Sequence, residues 1–163
     1  MSQPFTRVLA IDPSPRGFGF AVFEQPFDLI ESGFRHVREE KNIGVISQVE
    51  QILRRSRPQT LVLEDIDAPA SRRQPRVRQL LESLAGLARS QGIAVRRVPR
   101  SAVLARFAPE GGKTTKQAVA EKLAEHFPEL KDLLPPPRKI WQAERDKLAI
   151  FDAVAFAVTD ATA

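Results

Sequence analysis

Three short runs of apolar residues with strand-like spacing open the chain. Residues 7–12 are almost entirely apolar before an aspartate, as in a buried strand. In residues 18–23, large apolar side chains alternate with small ones such as Gly19, so this strand leaves room for a close neighbour. Residues 28–35 form the third run. Because only short turns separate the three runs, they predict an antiparallel meander.

The period of the apolar positions becomes helical after the meander, and two further apolar strands are predicted at 60–64 and 93–98. The four predicted helices are one that ends before Pro58, one from Pro75 to near Gly92, one from a Thr114/Thr115 cap to about Phe127, and one holding Leu148 to Val158. The order βββ-α-β-α-β-α-α predicts an α/β fold, a mixed five-stranded sheet with helices on both faces. We expect one domain over residues 1–163.

Three carboxylates stand where an apolar run should not carry one. Asp12 ends the first predicted strand, Glu64 ends the fourth, and Asp152 lies on the apolar stripe of the last helix. A carboxylate in or beside a core usually becomes neutral, pairs with a cation or binds a metal. In a mixed sheet of this order, the first and fourth strands can lie side by side with their carboxyl ends at one crevice. The three residues therefore predict a divalent-metal site if the fold brings them together.

Of the two strand carboxylates, Asp12 has a structural explanation, whereas Glu64 is harder to explain in that way because glutamate has little turn propensity. Asp12 precedes a proline, and an aspartate in that position often initiates a turn through its own side chain. Glu64 and Asp65 face opposite sides of a continuing strand, so only one of them can share the face of Asp12. Asp67, two residues further on, is either close to the site or simply solvated.

The acidic residues of the last helix have alternatives of the same kind. Asp152 is either a metal ligand or a buried partner of an arginine, such as Arg145 about two turns earlier. Asp146 lies roughly 120° away from Asp152 around an ideal helix. It can join the site only at the start of the helix, where it is equally suited to a purely structural role as an N-cap.

The composition indicates a polyanionic partner. Among 163 residues there is no cysteine, which excludes thiolate chemistry, and the formal charge is +5 with 18 Arg against 7 Lys. Any one group of arginines is explained by a solvated face, but three groups and a pI near 10.1 favour nucleic acid. The three groups are Arg54/Arg55/Arg57, Arg72/Arg73/Arg76/Arg78 and Arg96/Arg97/Arg100.

No apolar stretch approaches the length of a membrane helix, and the first residues lack the apolar core of a signal peptide. We therefore expect a cytoplasmic protein without a membrane partner.

Three segments resemble the RuvC family of Holliday-junction resolvases, which belongs to the ribonuclease H-like superfamily. Residues 8–19, VLAIDPSPRGFG, are similar to the opening strand, turn and second strand of that family. Residues 61–64, LVLE, are similar to its glutamate-bearing strand, and residues 151–157, FDAVAFA, to its closing helix. The similarity spans nearly the whole chain in the right order.

The resemblance implies a metal-dependent endonuclease that acts on branched DNA such as Holliday junctions, as a homodimer. It implies that Asp12, Glu64 and Asp152 bind Mg²⁺ or Mn²⁺, as two ions that assist phosphodiester hydrolysis. Oxygen ligands suit such hard cations. Lys116 stands near a basic position that the family uses against the scissile phosphate, although a solvated lysine in a first helical turn explains it equally well.

Two positions depart from the family pattern. The fourth acid of the family lies three residues before the closing aspartate, where this chain has Ala149. Asp146 or Glu144 is the possible substitute, so Asp146 is included among the predicted catalytic and metal-binding residues. Three residues after the glutamate the family has an aromatic residue that wedges into the junction, and this chain has Asp67.

Two other functions stay open at this point. One is a ribonuclease H-like nuclease that processes RNA, as in the YqgF group, although Glu64 on the fourth strand favours the resolvase. The other is a nucleic-acid-binding module that has kept the fold without catalysis, which the missing fourth acid favours.

Overall fold

The computed structural model describes residues 6–24, 27–67, 73–110, 112–135 and 142–162, with the side chains of the last segment from residue 146 onwards. The predicted loop 66–74 lies partly outside these residues, and so do Arg72 and the side chains of Glu144 and Arg145. The strands are β1 (Arg7–Ser14), β2 (Gly17–Glu24), β3 (Asp28–His36), β4 (Thr60–Glu64) and β5 (Ala94–Val98). The α-helices are α1 (Lys41–Ser56), α2 (Pro75–Ser90), α3 (Arg100–Phe107), α4 (Lys116–His126) and α5 (Gln142–Ala161). A 3₁₀ helix covers Pro128–Leu133.

Within the described residues, five strands form one mixed sheet in the order β3-β2-β1-β4-β5. The antiparallel meander is confirmed, since β1 pairs with β2 and β2 with β3 in antiparallel fashion. The strands β1, β4 and β5 run parallel to one another. The predicted contact between the first and fourth strands is therefore confirmed, and so is the mixed five-stranded α/β sheet.

Alternation along the central strands divides the core between the two faces of the sheet. Leu9 and Ile11 of β1 pack against α1 and α2, together with Leu61 and Leu63 of β4. Ala10 of β1 and its partner Val62 of β4 point the other way. They face the opposite layer, which contains α3, α4 and α5. Helices thus cover both faces, as predicted.

The hairpin between β1 and β2 is longer than the pattern predicted. We expected the first strand to end at Asp12, but Pro13 and Ser14 still pair with residues of β2. Asp12 is therefore inside the strand, opposite Gly19. The turn closes at Gly17, whose φ of +152° and whose approach to Arg35 exclude a side chain: a Cβ there would lie 1.8 Å from the Arg35 carbonyl oxygen.

Gly19 fulfils the prediction that the second strand admits a close neighbour. A Cβ on Gly19 would lie 2.3 Å from the carbonyl carbon and oxygen of Ala149, which belongs to α5. The backbone of α5 therefore crosses directly over the pair formed by Asp12 and Gly19. This close approach is what brings the closing helix to the carboxylate of β1.

Two helical segments were not predicted. The helix α3 has only eight residues, of which Val103 and Phe107 are buried, and such a short stripe shows little periodicity. The 3₁₀ helix Pro128–Leu133 buries Leu130 alone. The other helices lie where their apolar stripes predicted. The Thr115 hydroxyl accepts a hydrogen bond of 3.1 Å from the backbone N–H of Ala118, which confirms the predicted cap of α4.

Candidate functional site

Asp12 and Glu64 meet at the carboxyl end of the two central parallel strands. The last matched pair of β1 and β4 is Ala10 and Val62, and each carboxylate follows two residues later. Because side chains alternate along a strand, both carboxylates project to the face of Ala10 and Val62, which is the face covered by α5. Both residues are only 3% exposed.

Arg100 joins these carboxylates to the one on the closing helix. It is the first residue of α3, directly after β5. Its Nη2 lies 3.3 Å from Glu64 Oε1 and 3.6 Å from Asp12 Oδ1, while its Nη1 lies 3.5 Å from Asp152 Oδ2. One guanidinium group therefore contacts carboxylates from β1, β4 and α5, and the three predicted residues do converge in space.

Arg73 makes the shorter contacts to the two strand carboxylates. Its Nη2 donates to Asp12 Oδ1 at 2.6 Å, and its Nε donates to Glu64 Oε1 at 2.9 Å. Its Nη1 donates to the carbonyl oxygen of Pro13 at 3.2 Å. The residue lies two positions before α2, and its side chain is 21% exposed. Arg73 is thus held at the site by both side-chain and backbone acceptors.

Lys116 supplies a third positive charge. It is the first residue of α4, and its Nζ lies 3.4 Å from Asp152 Oδ2. The side chain is half exposed, so it faces the open side of the site. The cationic partners of Asp152 are therefore Arg100 and Lys116, and any contact of Arg145 lies outside the described side chains.

Asp146 lies with a different pair of residues. Its Oδ2 is 3.4 Å from Nη1 of Arg16 and 3.3 Å from Nε2 of His36, and the carboxylate is nearly buried. Arg16 is in the turn after β1, and His36 is the last residue of β3. Among the described residues, Asp146 has no ion pair with Arg73, Arg100 or Lys116.

The electrostatics of the site follow from burial. Burial raises the pKa of Asp12 to about 7; Arg73 opposes this shift, and the carboxylate of Asp152 adds to it. Burial by itself lowers the pKa of Arg73 and of Arg100, but the surrounding carboxylates outweigh it and raise both above their usual value. Both arginines are therefore charged at every pH of interest, whereas burial moves the titration of Asp12 towards neutrality.

A cleft of about 320 Å³ opens onto this cluster of charges. Its lining joins the start of the hairpin turn to the closing helix and consists of Asp12, Pro13, Ser14, Pro15, Arg73, Lys116, Leu148, Ala149 and Asp152. Ala149, at the position of the fourth acid in the RuvC pattern, thus lies in the wall of the cleft. The position is correctly placed for a ligand, but its side chain is a methyl group.

The donor atoms of the cluster suit Mg²⁺ or Mn²⁺, since they are carboxylate oxygens. Asp12 and Glu64 are already hydrogen-bonded to Arg73, and Asp152 lies close to two further cations. In the described part of the chain, no set of three or more acidic, His or Cys side chains is arranged to hold a metal ion as it stands. A divalent cation that binds Asp12 Oδ1 and Glu64 Oε1 must displace Arg73 from them, and the metal-binding role stays a prediction.

No known family model matches the sequence, and no curated protein matches it. Similarity is found among solved structures. The structure of Thermus thermophilus RuvC in complex with a Holliday junction substrate has a TM-score of 0.67 over 94% of this chain and 91% of that chain, at 20% identity. The chain has the RuvC fold.

Two further structures agree with this assignment. A second Thermus thermophilus RuvC structure has a TM-score of 0.65 at 19% identity and covers 94% of this chain and 92% of that one. A Fowlpox virus resolvase in complex with Holliday junction DNA has a TM-score of 0.54 at 15% identity and covers 91% of this chain and 93% of that one. At such identities the similarity establishes the RuvC fold and leaves activity to be argued from the site.

No described helix is long and apolar enough to cross a membrane.

Of the cations at the site, sequence reasoning named Lys116 and missed the two arginines. Arg73 and Arg100 were noticed only as members of basic groups, and neither was assigned to the carboxylates. Their signal was weak because Arg73 precedes a helix and Arg100 opens a short one, so neither lies on a periodic stripe. His36, the partner of Asp146, was also missed, since 110 residues separate the two in the chain.

Proposed function

We propose that the chain is a nuclease of the Holliday-junction resolvase kind, which hydrolyses phosphodiester bonds in branched DNA. The observation that carries the proposal is the convergence of Asp12, Glu64 and Asp152, from three separate elements, on the single guanidinium group of Arg100. The excess of arginine supports an anionic polymer as substrate. Two proteins of the same fold have been seen with Holliday junction DNA, which supports branched DNA in particular.

In this proposal Asp12, Glu64 and Asp152 hold Mg²⁺ or Mn²⁺, since both metals accept carboxylate oxygens as ligands. The resemblance to RuvC implies two bound ions. The chemistry that they would supply is activation of the attacking water and stabilisation of the leaving oxygen. Asp146 would serve as a fourth ligand only after leaving Arg16 and His36.

The three cationic side chains of the site would have a separate role in binding phosphate. Without a metal, Arg73 and Arg100 balance the charge of the buried carboxylates. Once a divalent ion takes over that role, their guanidinium donors are free for the non-bridging oxygens of a phosphate. Lys116, which lines the same cleft, would face the same phosphate. These three residues would orient the scissile group and balance its charge.

We further propose a homodimer, because a four-way junction has two strands to be cut and each protomer supplies one site. The mass of the purified protein in solution tests this directly. A monomer at the concentrations that cut a junction would contradict it.

The proposal is tested with labelled four-way junction, linear duplex and structured RNA substrates, each incubated with Mg²⁺, Mn²⁺ or EDTA. We expect cleavage of the junction in the presence of metal, and weaker cleavage of the duplex. A preference for structured RNA would instead identify an RNA-processing nuclease. Asp132→Asn is the control for substitutions at the site, because this aspartate is exposed and does not line the cleft.

A second function has specific support. Ala149 replaces the fourth acid, and arginines pair with the strand carboxylates, both of which favour a nucleic-acid-binding protein without catalysis. Tight junction binding together with no cleavage under either metal would establish this alternative and refute the nuclease.

A further inference from the structure

A second cleft lies beside the carboxylate cluster, at the closed end of the hairpin. Its volume is about 510 Å³. It is formed by the turn after β1, the end of β3 and the first residue of α1, and its lining consists of Pro15, Arg16, His36, Val37, Arg38 and Lys41. Four of these six residues carry cationic or imidazole side chains, and none is acidic.

One backbone hydrogen bond and one side-chain hydrogen bond fix the shape of this cleft. The N–H of Val37 donates to the carbonyl oxygen of Arg16 at 2.9 Å, which ties the end of β3 to the turn. Lys41 Nζ donates to the carbonyl oxygen of Pro15 at 2.5 Å and so holds the start of α1 against the same turn. The cations are therefore presented from a rigid frame at the sheet edge.

Asp146 contacts two of the basic side chains from the buried side of the cleft. Its nearly buried carboxylate contacts Arg16 and His36, while both of these residues remain largely exposed, with side chains 42% and 56% accessible. Each contact uses one ring or guanidinium nitrogen. The remaining donors of Arg16 point to no other described ion-pair partner, and Arg38 is exposed.

The two clefts are contiguous, because Pro15 lines both of them. A nucleic-acid strand with one phosphate at the carboxylate cluster would continue past Pro15 into the basic cleft. Guanidinium and ammonium groups are the usual donors to phosphate oxygens in such contacts. We propose that this cleft binds the sugar-phosphate backbone of the same strand, next to the phosphate that is held at the carboxylates. The inference rests on the nucleic-acid binding of the proposed function and is independent of cleavage.

The test uses a fluorescent four-way DNA junction in EDTA, with affinity measured over a range of salt concentrations. The Arg38→Gln/Lys41→Gln double variant removes two cations of the cleft and spares Arg16, whose loss would leave Asp146 without that partner. The control is Arg89→Gln/Lys131→Gln, which removes the same charge from exposed positions on α2 and the 3₁₀ helix. Thermal unfolding of each variant verifies that it is folded.

We expect the double variant to bind on the order of tenfold more weakly, with a slope of log affinity against log salt that is smaller by about two. The control should keep the slope of the wild type. If the double variant should fail to fold, Arg38→Gln alone is expected to lower the slope by about one. An unchanged slope in the folded variant, or an equal decrease in the control, would overturn the proposal.

Cleavage separates this inference from the proposed function. A wild-type protein that never cuts the junction, but whose salt slope falls in the cleft variant, refutes the nuclease and supports the cleft. A protein that cuts normally and keeps its slope in the variant supports the nuclease and refutes the cleft. Absence of junction binding by the wild type refutes both.

Discussion

Arg73 donates a 2.6 Å hydrogen bond from Nη2 to Oδ1 of Asp12, in the interior of the proposed active site. The same guanidinium group reaches Glu64, so it contacts the carboxylates of both central parallel strands of the RuvC fold. A cation of the chain thus stands where the proposed function requires a metal ion. The relationship makes Arg73 and a divalent ion competitors for the same oxygens.

Replacing Arg73 separates these two roles. Arg73→Gln should increase affinity for Mn²⁺ by on the order of tenfold or more, because no guanidinium group has to be displaced. In EDTA the same variant should be less stable by about 3 kcal/mol, since two buried carboxylates lose their closest partner. Metal binding is followed by the electron paramagnetic resonance signal of free Mn²⁺, and stability by urea unfolding.

Arg76→Gln is the matched control for that experiment, because Arg76 donates to Asn42 away from the carboxylates. It should leave Mn²⁺ affinity unchanged. Equal or weaker Mn²⁺ binding by Arg73→Gln would contradict the competition between arginine and metal.

The raised pKa of Asp12 predicts a pH-dependent stability in EDTA. Its folded-state pKa of about 7 lies above the ordinary value of 3.8, so the folded protein binds this proton more tightly than the unfolded chain. The stabilisation is complete below about pH 4 and is lost as the pH rises through 7, at about 1.4 kcal/mol per pH unit between them. Asp12→Asn lacks the titration, so the stability of the wild type relative to this variant should fall across the window.

Urea unfolding of both proteins at several pH values measures that difference. A stability difference that does not vary with pH would show that Asp12 does not titrate in the window. Because metal binding requires the carboxylate, Mn²⁺ affinity of the wild type should also rise as the pH approaches 7.

The close contact of Gly19 with Ala149 predicts a strong effect of one methyl group. Gly19→Ala should destabilise the fold by about 1–3 kcal/mol, because the added Cβ meets the backbone of α5 and cannot be relieved by a side-chain rotation. It should also shift Asp152 relative to Asp12. Gly86→Ala is the control, since a Cβ there meets nothing within 4 Å and helical alanine is favourable. Thermal unfolding of both variants is the measurement, and equal midpoints would contradict the contact.

Restoring an acid at residue 149 tests the departure from the RuvC pattern. Ala149 lines the cleft three residues before Asp152, so the side chains of both residues lie on one face of α5. Ala149→Asp should strengthen Mn²⁺ binding by on the order of tenfold and lower stability in EDTA through repulsion between carboxylates. Ala161→Asp places the same charge at the exposed end of the helix and should leave Mn²⁺ affinity unchanged. Unchanged Mn²⁺ affinity in Ala149→Asp would exclude this position from the site.

The periodicity of apolar residues was sufficient to predict the sheet and the three carboxylates that converge. Asp152 was found because it interrupts a helical stripe, and Glu64 because it ends a buried strand. The partners of these residues could not be predicted in the same way. An ion pair such as Arg73 with Asp12 joins positions 61 residues apart through side-chain geometry, which leaves no periodic trace in the sequence. The same holds for Asp146 and His36.

The measurement that tests the central claim most directly is single-turnover cleavage of a four-way DNA junction by the wild type and by Asp12→Asn. We predict metal-dependent nicking by the wild type and none in EDTA. Asp12→Asn should bind the junction as the wild type does, yet cut it more than about 100-fold more slowly, a larger loss than removal of an outer-shell partner causes. Wild-type protein that binds the junction and does not cut it with either metal, or an Asp12→Asn variant that cuts equally fast, would contradict the assignment of a nuclease.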